Sequence, residues 1–461
     1  MYSNESLFNN YPLKMKDLLT TLIALTLLAT SAGAQSPLSL SQAIETGLAN
    51  NFQIQIAEMQ RDIAANNDDW AVAGRYPSIN LVVNSNNSYR NQSNPAGPLT
   101  KVNSISPSLA PGIEANWVLF DGYRVRYTKN LLEQQARLSE GNIKLAVENS
   151  IQSIINAYYL ALVQKEQLDV VQEVLTLSRD RVAYQELRKE FGQASTFDIL
   201  QTKDAYLNDS TNYVLQLNTF ETALRNLNRS MGVDDLSTQY LLTDKLQYDV
   251  SDYAIDDLQQ RMLANNHQLQ NELANRELAA INTRIQESDL KPSLSLQAGT
   301  NYNVGISFGE QTLEFGANIS TRSLPEVAAK TFTGFVNFNA TYPIFDGGVR
   351  QKRIENAKTE EIIAQAGISD LKRTLNSQLA NTLATYNTQK RLVDVTTQLV
   401  DNARRNLEIA EERFRGGLIN SFDYRTIQLG YINASQQRLT ALFNLKNTET
   451  ELVRLIGGLV R

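Results

Sequence analysis

Tyr342-Pro343-Ile344-Phe345-Asp346-Gly347-Gly348 contains a Phe-Asp-Gly turn that the chain has already used once, as Phe120-Asp121-Gly122. The two copies stand 225 residues apart, and the same spacing relates Gly192 to Gly417, Phe197-Asp198 to Phe422-Asp423 and Gly232 to Gly457. Upstream of the turn the spacing is 215: Leu48-Ala49-Asn50-Asn51 returns as Leu263-Ala264-Asn265-Asn266, and Pro77-Ser78 as Pro292-Ser293. Self-similarity at a fixed offset marks a repeat architecture. The offset changes once, by ten residues, between the Pro-Ser pair and the Phe-Asp-Gly turn. One segment of each half tolerates a change of length, and the rest keeps register with its neighbours.

Working outward from the turns, each half opens with apolar residues at helical spacing, which predicts helices over 41–75 and 255–289. Gly74 and Pro77 end the first, and Pro292 the second. Alternation follows. Ile79, Leu81 and Val83 oppose Asn80, Asn84 and Asn86, and Leu294, Leu296, Ala298 and Tyr302 oppose Ser295, Gln297 and Asn301. Second strands repeat the pattern, with Ile113, Ala115, Trp117 and Leu119 in one half and Phe332, Val336, Phe338, Ala340 and Tyr342 in the other. The expected strands are 78–85, 112–120, 293–304 and 332–342, with polar loops near 86–111 and 305–331. Apolar residues on one face, with Trp117 and Tyr342 at strand ends as membrane-interface aromatics, form the pattern of a membrane barrel.

Beyond the turn, 124–190 and 349–415 contain no proline, few glycines and apolar residues three or four apart. Helices of that length are expected to run ~100 Å at 1.5 Å per residue, with coiled-coil-like packing against neighbours. The chain then turns at 191–196 and 415–421, and shorter helices return over 197–230 and 421–456. The two short helices of a half together match the long one, so end to end they form one partner strut. Residues 233–252 link the halves.

Lys14 and Lys16 precede an apolar run from Leu18 to Ala29, followed by Ala32-Gly33-Ala34. This predicts a cleaved secretory signal within 1–34, a mature chain from Gln35, and Met15 as an alternative start. Cysteine is absent, which excludes disulfides, thiolate metal sites and a cysteine-borne lipid anchor. A net charge of −6 without a basic stripe argues against nucleic acid. No apolar stretch after the signal reaches helix-spanning length, so membrane contact is expected through strands. His267, the single histidine, aligns with Phe52 of the first half and is expected to pack. With no phosphate loop, nucleophile elbow or metal-spaced cluster, neither an enzyme, a cofactor nor a metal site is expected.

Four strands cannot close around a lumen, and an open edge in lipid leaves backbone groups unsatisfied. Oligomerisation is therefore expected. The order of elements, the Arg413-Phe414-Arg415-Gly416-Gly417-Leu418 turn with Asp423 six residues after Gly417, and the Arg454-Leu455-Ile456-Gly457 ending resemble the TolC-like outer-membrane efflux proteins across the mature chain. The fold expected is mainly α with a membrane β-barrel portion: a duplicated helix-strand-strand-long helix-short helix unit, whose trimer forms a 12-stranded β-barrel and a 12-helix periplasmic α-barrel.

The resemblance implies a homotrimer in the bacterial outer membrane that extends into the periplasm. It would serve as a passive duct for substrate delivered by an inner-membrane pump through a periplasmic adaptor, in efflux or type I secretion. It implies that Gly192, Gln193, Gly416, Gly417 and Leu418 form adaptor-contacting tip turns, and that Asp198 and Asp423 narrow the lumen as a gate. Ser195-x-x-Asp198 and Asn420-x-x-Asp423 equally read as capping boxes of the returning helices. Gln201 and Thr426 stand where some relatives have a second acidic residue, and Ile419 where some have a basic one. An exported trimeric coiled-coil scaffold is the alternative. It explains the helices but not the duplicated hairpins.

Overall fold

The computed structural model describes residues 36–93, 99–247, 251–315 and 318–460. The signal sequence and Gln35 lie outside these. Among the described residues the order is β1 (Ser36–Leu38), α1 (Leu40–Asn50), α2 (Phe52–Asn67), β2 (Ser78–Ser93), β3 (Leu99–Asp121), α3 (Arg124–Glu190), α4 (Thr196–Met231), β4 (Tyr240–Leu242), α5 (Ile255–Asn265), α6 (His267–Ser288), β5 (Ser293–Phe315), β6 (Asn318–Thr341), α7 (Val349–Arg415) and α8 (Ser421–Leu455). They fall into two compact units, to both of which the long helices α3 and α7 contribute: 1–51, 150–252 and 384–451 form one, and 52–149, 253–383 and 452–461 the other.

The second unit contains a four-stranded antiparallel sheet in the order β2-β3-β5-β6. Its register pairs Leu81 with Ile113, Trp117 with Leu296, Leu296 with Phe338 and Ala298 with Val336. Directly paired residues share a face. Ile79, Leu81, Val83, Ile113, Leu296, Val336 and Phe338 therefore line one face across all four strands, and Glu114, Asn116, Gln297 and Asn337 line the other. Leu81 is 76% exposed and Phe338 68%, so none of the described residues covers the apolar face at these positions.

Strands continue where loops were expected at 86–111 and 305–331. These stretches are rich in Asn, Ser and Gly and lack apolar periodicity, so side chains do not announce the strand. Backbone pairing makes it, from Ser78 opposite Asn116 as far as Ser93 opposite Lys101. The prolines that suggested a break are accommodated by the ladder. Pro107 and Pro111 are paired with β2 but skipped in the pairing with β5, and Pro325 falls where the β5–β6 register shifts. A missing N–H is tolerated at such gaps.

Each predicted opening helix is two helices, a correction with a clear cause. Asn51 and Asn266 adopt extended backbone, with ψ 118° and 116°, and interrupt 41–75 and 255–289. The Asn266 side chain accepts from the Leu269 amide at 2.9 Å, capping α6, and donates to the Leu455 carbonyl at 3.0 Å. Asn51 donates likewise to the Ser230 carbonyl at 3.3 Å. At each break a returning helix ends on a left-handed glycine, Gly232 at φ 69° and Gly457 at φ 65°. A Cβ there would lie 2.6 Å from the Asn50 carbonyl oxygen or 2.4 Å from that of Asn265. The recurring Asn-Asn and Gly are thus the two sides of one junction, built once in each unit.

In the first unit, β1 and β4 pair in parallel, an element the sequence did not announce. The buried Tyr158 hydroxyl sits 3.0 Å from the Leu38 carbonyl and 2.6 Å from Asp244 Oδ2. Burial first, then the Asp244 contact, pushes its pKa up.

Gly457→Ala is expected to lower thermal stability by at least about 1 kcal/mol from backbone conformation alone, with a further loss from the contact with Asn265. Gly192→Ala, whose Cβ would meet nothing within 4 Å, should show the first loss only. Circular-dichroism melts of the two variants measure the difference, and equal losses would contradict the junction.

Candidate functional site

Two helical turns in the first unit carry the residues singled out from the sequence. After α3 the Gly192 amide bonds the Lys189 carbonyl at 2.9 Å and the Gln193 amide reaches back to Arg188 at 2.8 Å. After α7 the Gly417 amide bonds Phe414 at 3.0 Å and Leu418 reaches Arg413 at 2.8 Å. With left-handed Gly192 and Gly417, both are Schellman endings that reverse the chain and satisfy the last carbonyls. Gly416 continues the helical pattern, its amide bonding Glu412 at 2.9 Å.

The turns present apolar side chains to the surface: Phe191, Phe197, Leu418 and Phe422 are each at least 66% exposed. Phe197 and Phe422 occupy equivalent positions just before the aspartates. Their recurrence was visible in the sequence, but nothing there distinguished an exposed aromatic from a packed one.

The aspartates differ. Asp198 completes a capping box: its Oδ2 accepts from the Ser195 amide at 2.9 Å and the Ser195 hydroxyl at 2.7 Å, and its own amide donates to Ser195 Oγ at 3.2 Å. These bonds hold its carboxyl below the usual range. In the second turn Asn420 Oδ1 accepts from the Phe422 and Asp423 amides, both at 2.9 Å. The reciprocal box expected there does not form, because Asn420 alone caps the helix. The Asp423 carboxylate has no hydrogen bond or ion pair among the described residues and is exposed.

Behind the turns lies a core of Val174, Leu407, Ala410, Phe414, Tyr424 and Tyr431, with Ile419 and Ile427 packed on it. Ile419 is therefore part of the apolar packing. A polar network ties the two turns within one chain. The Tyr184 hydroxyl donates to the Arg415 carbonyl at 2.8 Å, Gln185 to Ser421 at 3.3 Å and Gln428 to Ser178 at 3.1 Å. Arg425 pairs with the buried Asp209 at 2.7 Å, and Ser178 bonds the same carboxylate. Sequence reading missed this network because its members come from four helices with no shared spacing.

In the second unit the Phe-Asp-Gly turns start the long helices. Asp121 Oδ2 accepts from the Val125 amide at 3.0 Å. Asp346 accepts from the Arg350 amide at 3.0 Å and its guanidinium at 2.8 Å, and these bonds, the guanidinium's first, hold its carboxyl down. Gly122 and Gly347 are left-handed, and Tyr123, at φ 76°, takes the place of the left-handed Gly348. The Tyr123 ring stacks edge-on against Phe120 at 5.3 Å, with the Lys291 ammonium 4.7 Å above it. Phe345 is 85% exposed. Trp117 donates its indole N–H to the Arg75 carbonyl at 2.8 Å, while Tyr342 is exposed. His267 stands with Nδ1 3.3 Å from the buried Glu148 carboxylate.

Ser195→Ala is expected to cost about 1 kcal/mol at neutral pH. Because the folded-state pKa of Asp198 is depressed, its contribution is present above about pH 4, the unfolded value, and is lost as pH falls through the folded one. The gap in thermal stability between wild type and variant should therefore narrow on going from pH 7 to pH 3. A constant gap would contradict the box. Asp423→Ala, where Asn420 carries the cap, should change stability by less than about 0.5 kcal/mol.

The model of the outer membrane efflux protein family matches residues 43–233 and again 258–458, once for each repeat. The curated relative is the cobalt-zinc-cadmium resistance protein CzcC of Cupriavidus metallidurans, 25% identical over 176 residues, which are 37% of this chain and 42% of that protein. The chain thus matches less than half the length of that relative. The fold is shared with the CmeC outer membrane channel of Campylobacter jejuni, at TM-score 0.71 and 16% identity over 91% of this chain and 85% of that one. It is shared also with the outer membrane protein VceC of Vibrio cholerae, at TM-score 0.69 and 16% identity over 91% and 96%. Both halves fitting one family model, on a mainly helical fold common to solved outer membrane channels, make this chain a member of the outer membrane efflux protein family.

Proposed function

We propose that three copies of this chain form an exit duct across the bacterial outer membrane, through which substrate passes passively. The observation that carries the proposal is the four-stranded sheet with one continuous apolar face and two open edges, β2 and β6. Burying Ile79, Leu81, Val83, Ile113, Phe332, Val336 and Phe338 in lipid is worth roughly 10–20 kcal/mol per chain, at about 1.5–3 kcal/mol per large side chain. Three sheets supply twelve strands, an even number that encloses an aqueous lumen with Glu114, Asn116 and Gln297 facing inward. Trp117 and Tyr342 then stand near the strand ends as interface anchors.

The helices of the first unit support the same assembly. Leu200, Leu207 and Val214 recur seven apart on α4 and are 57%, 60% and 61% exposed, an apolar ridge without a partner. A groove between α7 and α8, lined by Leu399, Ile409, Ile419 and Ile427, is complementary in character. A ridge of one copy entering the groove of the next is a heterologous contact, and three such contacts close a ring.

At the turns, Gly192-Gln193 and Gly416-Gly417-Leu418, with exposed Phe191, Phe197 and Phe422, offer an apolar rim suited to a periplasmic adaptor that joins the duct to an inner-membrane pump. Unpaired Asp423 is the better candidate for an acidic constriction, because Asp198 is committed to its cap. Repeated around a threefold axis, such carboxylates attract cations. The name of the curated relative favours divalent metal ions as cargo.

Planar-bilayer recording of the detergent-purified protein should show cation-selective steps. Asp423→Ala is expected to reduce that selectivity more than Asp198→Ala. Well-folded oligomers without conductance would favour the scaffold reading instead.

A further inference from the structure

Within the first unit, a cleft of about 370 Å³ opens between α3, α7 and α8, lined by Leu177, Arg181, Tyr184, Phe414 and Tyr424, with Asp180, Glu411 and Arg415 also at its wall. Arg181 is only 5% exposed. Its Nε and Nη1 are shut off from solvent without a hydrogen-bond partner, and it forms no ion pair among the described residues. The Tyr424 ring lies 5.0 Å from the guanidinium.

A buried guanidinium is costly unless an anion or hydrogen-bond acceptors compensate it. The charges around it do not balance. The Asp209 carboxylate is taken by Arg425 at 2.7 Å and by Ser178, so the cluster of Arg181, Arg425 and Asp209 keeps one positive charge in excess. The other carboxylates of the cleft have their own cations: Glu411 pairs with Arg415, and Asp180 with Arg179 at 3.6 Å. What the site lacks is one planar anion that can accept from the guanidinium edge, with an apolar body to lie against Tyr184, Phe414 and Tyr424. Nε and Nη1 are closed to a ligand as they are to water, so a carboxylate would take its charge-assisted bond from Nη2, and the volume suits a molecule of one or two rings.

We propose that the Arg181 cleft binds a small aromatic carboxylate, with the carboxylate on Arg181 and the ring among Tyr184, Phe414 and Tyr424. Because it joins α3 to α7 and α8, occupancy would hold the helices behind the two turns together.

The test is calorimetric titration of the full-length protein in detergent with 1-naphthoate. Saturable binding is expected, at least tenfold weaker in Arg181→Gln and undetectable with 1-naphthylmethylamine, which reverses the charge. Binding unchanged in Arg181→Gln, or absent from the wild type, would overturn the proposal. N-acetylglutamic acid amide, standing for an acidic side chain of a protein partner, should bind at least tenfold more weakly than naphthoate, and equal or tighter binding would overturn the small-molecule assignment. Should Arg181→Gln fail to fold, a cryo-electron-microscopy structure of wild type with naphthoate decides. Density beside Arg181 and Tyr424 supports the proposal, and density elsewhere, or none, contradicts it.

Discussion

A strand in lipid must have every backbone N–H and C=O paired, because no water is there to receive them. In this chain β2 and β6 each leave one side unpaired along 16 and 24 residues. Much else follows from that demand. One chain has too few strands to bend its sheet shut around a lumen, so the proposed duct needs further copies. On that reading the apolar face of the sheet and the bare ridge on α4 are the surfaces that lipid and neighbouring copies would cover.

Duplication meets the demand economically in sequence terms. Each repeat contributes one hairpin, one long helix and one returning helix, and ends the returning helix on the same Asn–Gly junction. Asn51 with Gly232, and Asn266 with Gly457, fix the point at which a returning helix ends against the break in the opening pair. The one change of spacing falls among the strands and their connections, where backbone pairing sets no fixed length.

The architecture was legible in the sequence because it rests on periodicity and repetition. The 67-residue helices announce themselves by the lack of proline and by apolar spacing, and the hairpins by alternation near the Pro-Ser pairs. Legibility failed where backbone does what side chains do not declare. The distal strands, written in Asn, Ser and Gly, read as loops. The opening helices read as continuous because Asn51 and Asn266 carry no strong breaker signal, although the recurring Asn-Asn was in view. At the turns the sequence named the glycines and aspartates but could not tell a committed carboxylate from a free one. That distinction rests on Ser195 against Asn420: the serine hydroxyl donates to Asp198 and draws it back onto the cap, whereas the Asn420 carboxamide oxygen accepts from the Phe422 and Asp423 amides and leaves the carboxylate out. The polar network around Asp209 and Arg425, and the buried Arg181, lie on separate helices and became visible only in three dimensions.

The account stands or falls on how the open edges are closed. Alternating directions along β2-β3-β5-β6 leave β2 and β6 antiparallel, so the β2 edge of one copy can pair with the β6 edge of the next without a change of hand. A single-particle structure of the detergent-purified full-length protein tests this directly. The account predicts three copies and a closed twelve-stranded barrel with antiparallel β2–β6 pairing at each subunit boundary. A sheet that stays open, closes on its own helices, or joins a number of copies other than three would contradict it.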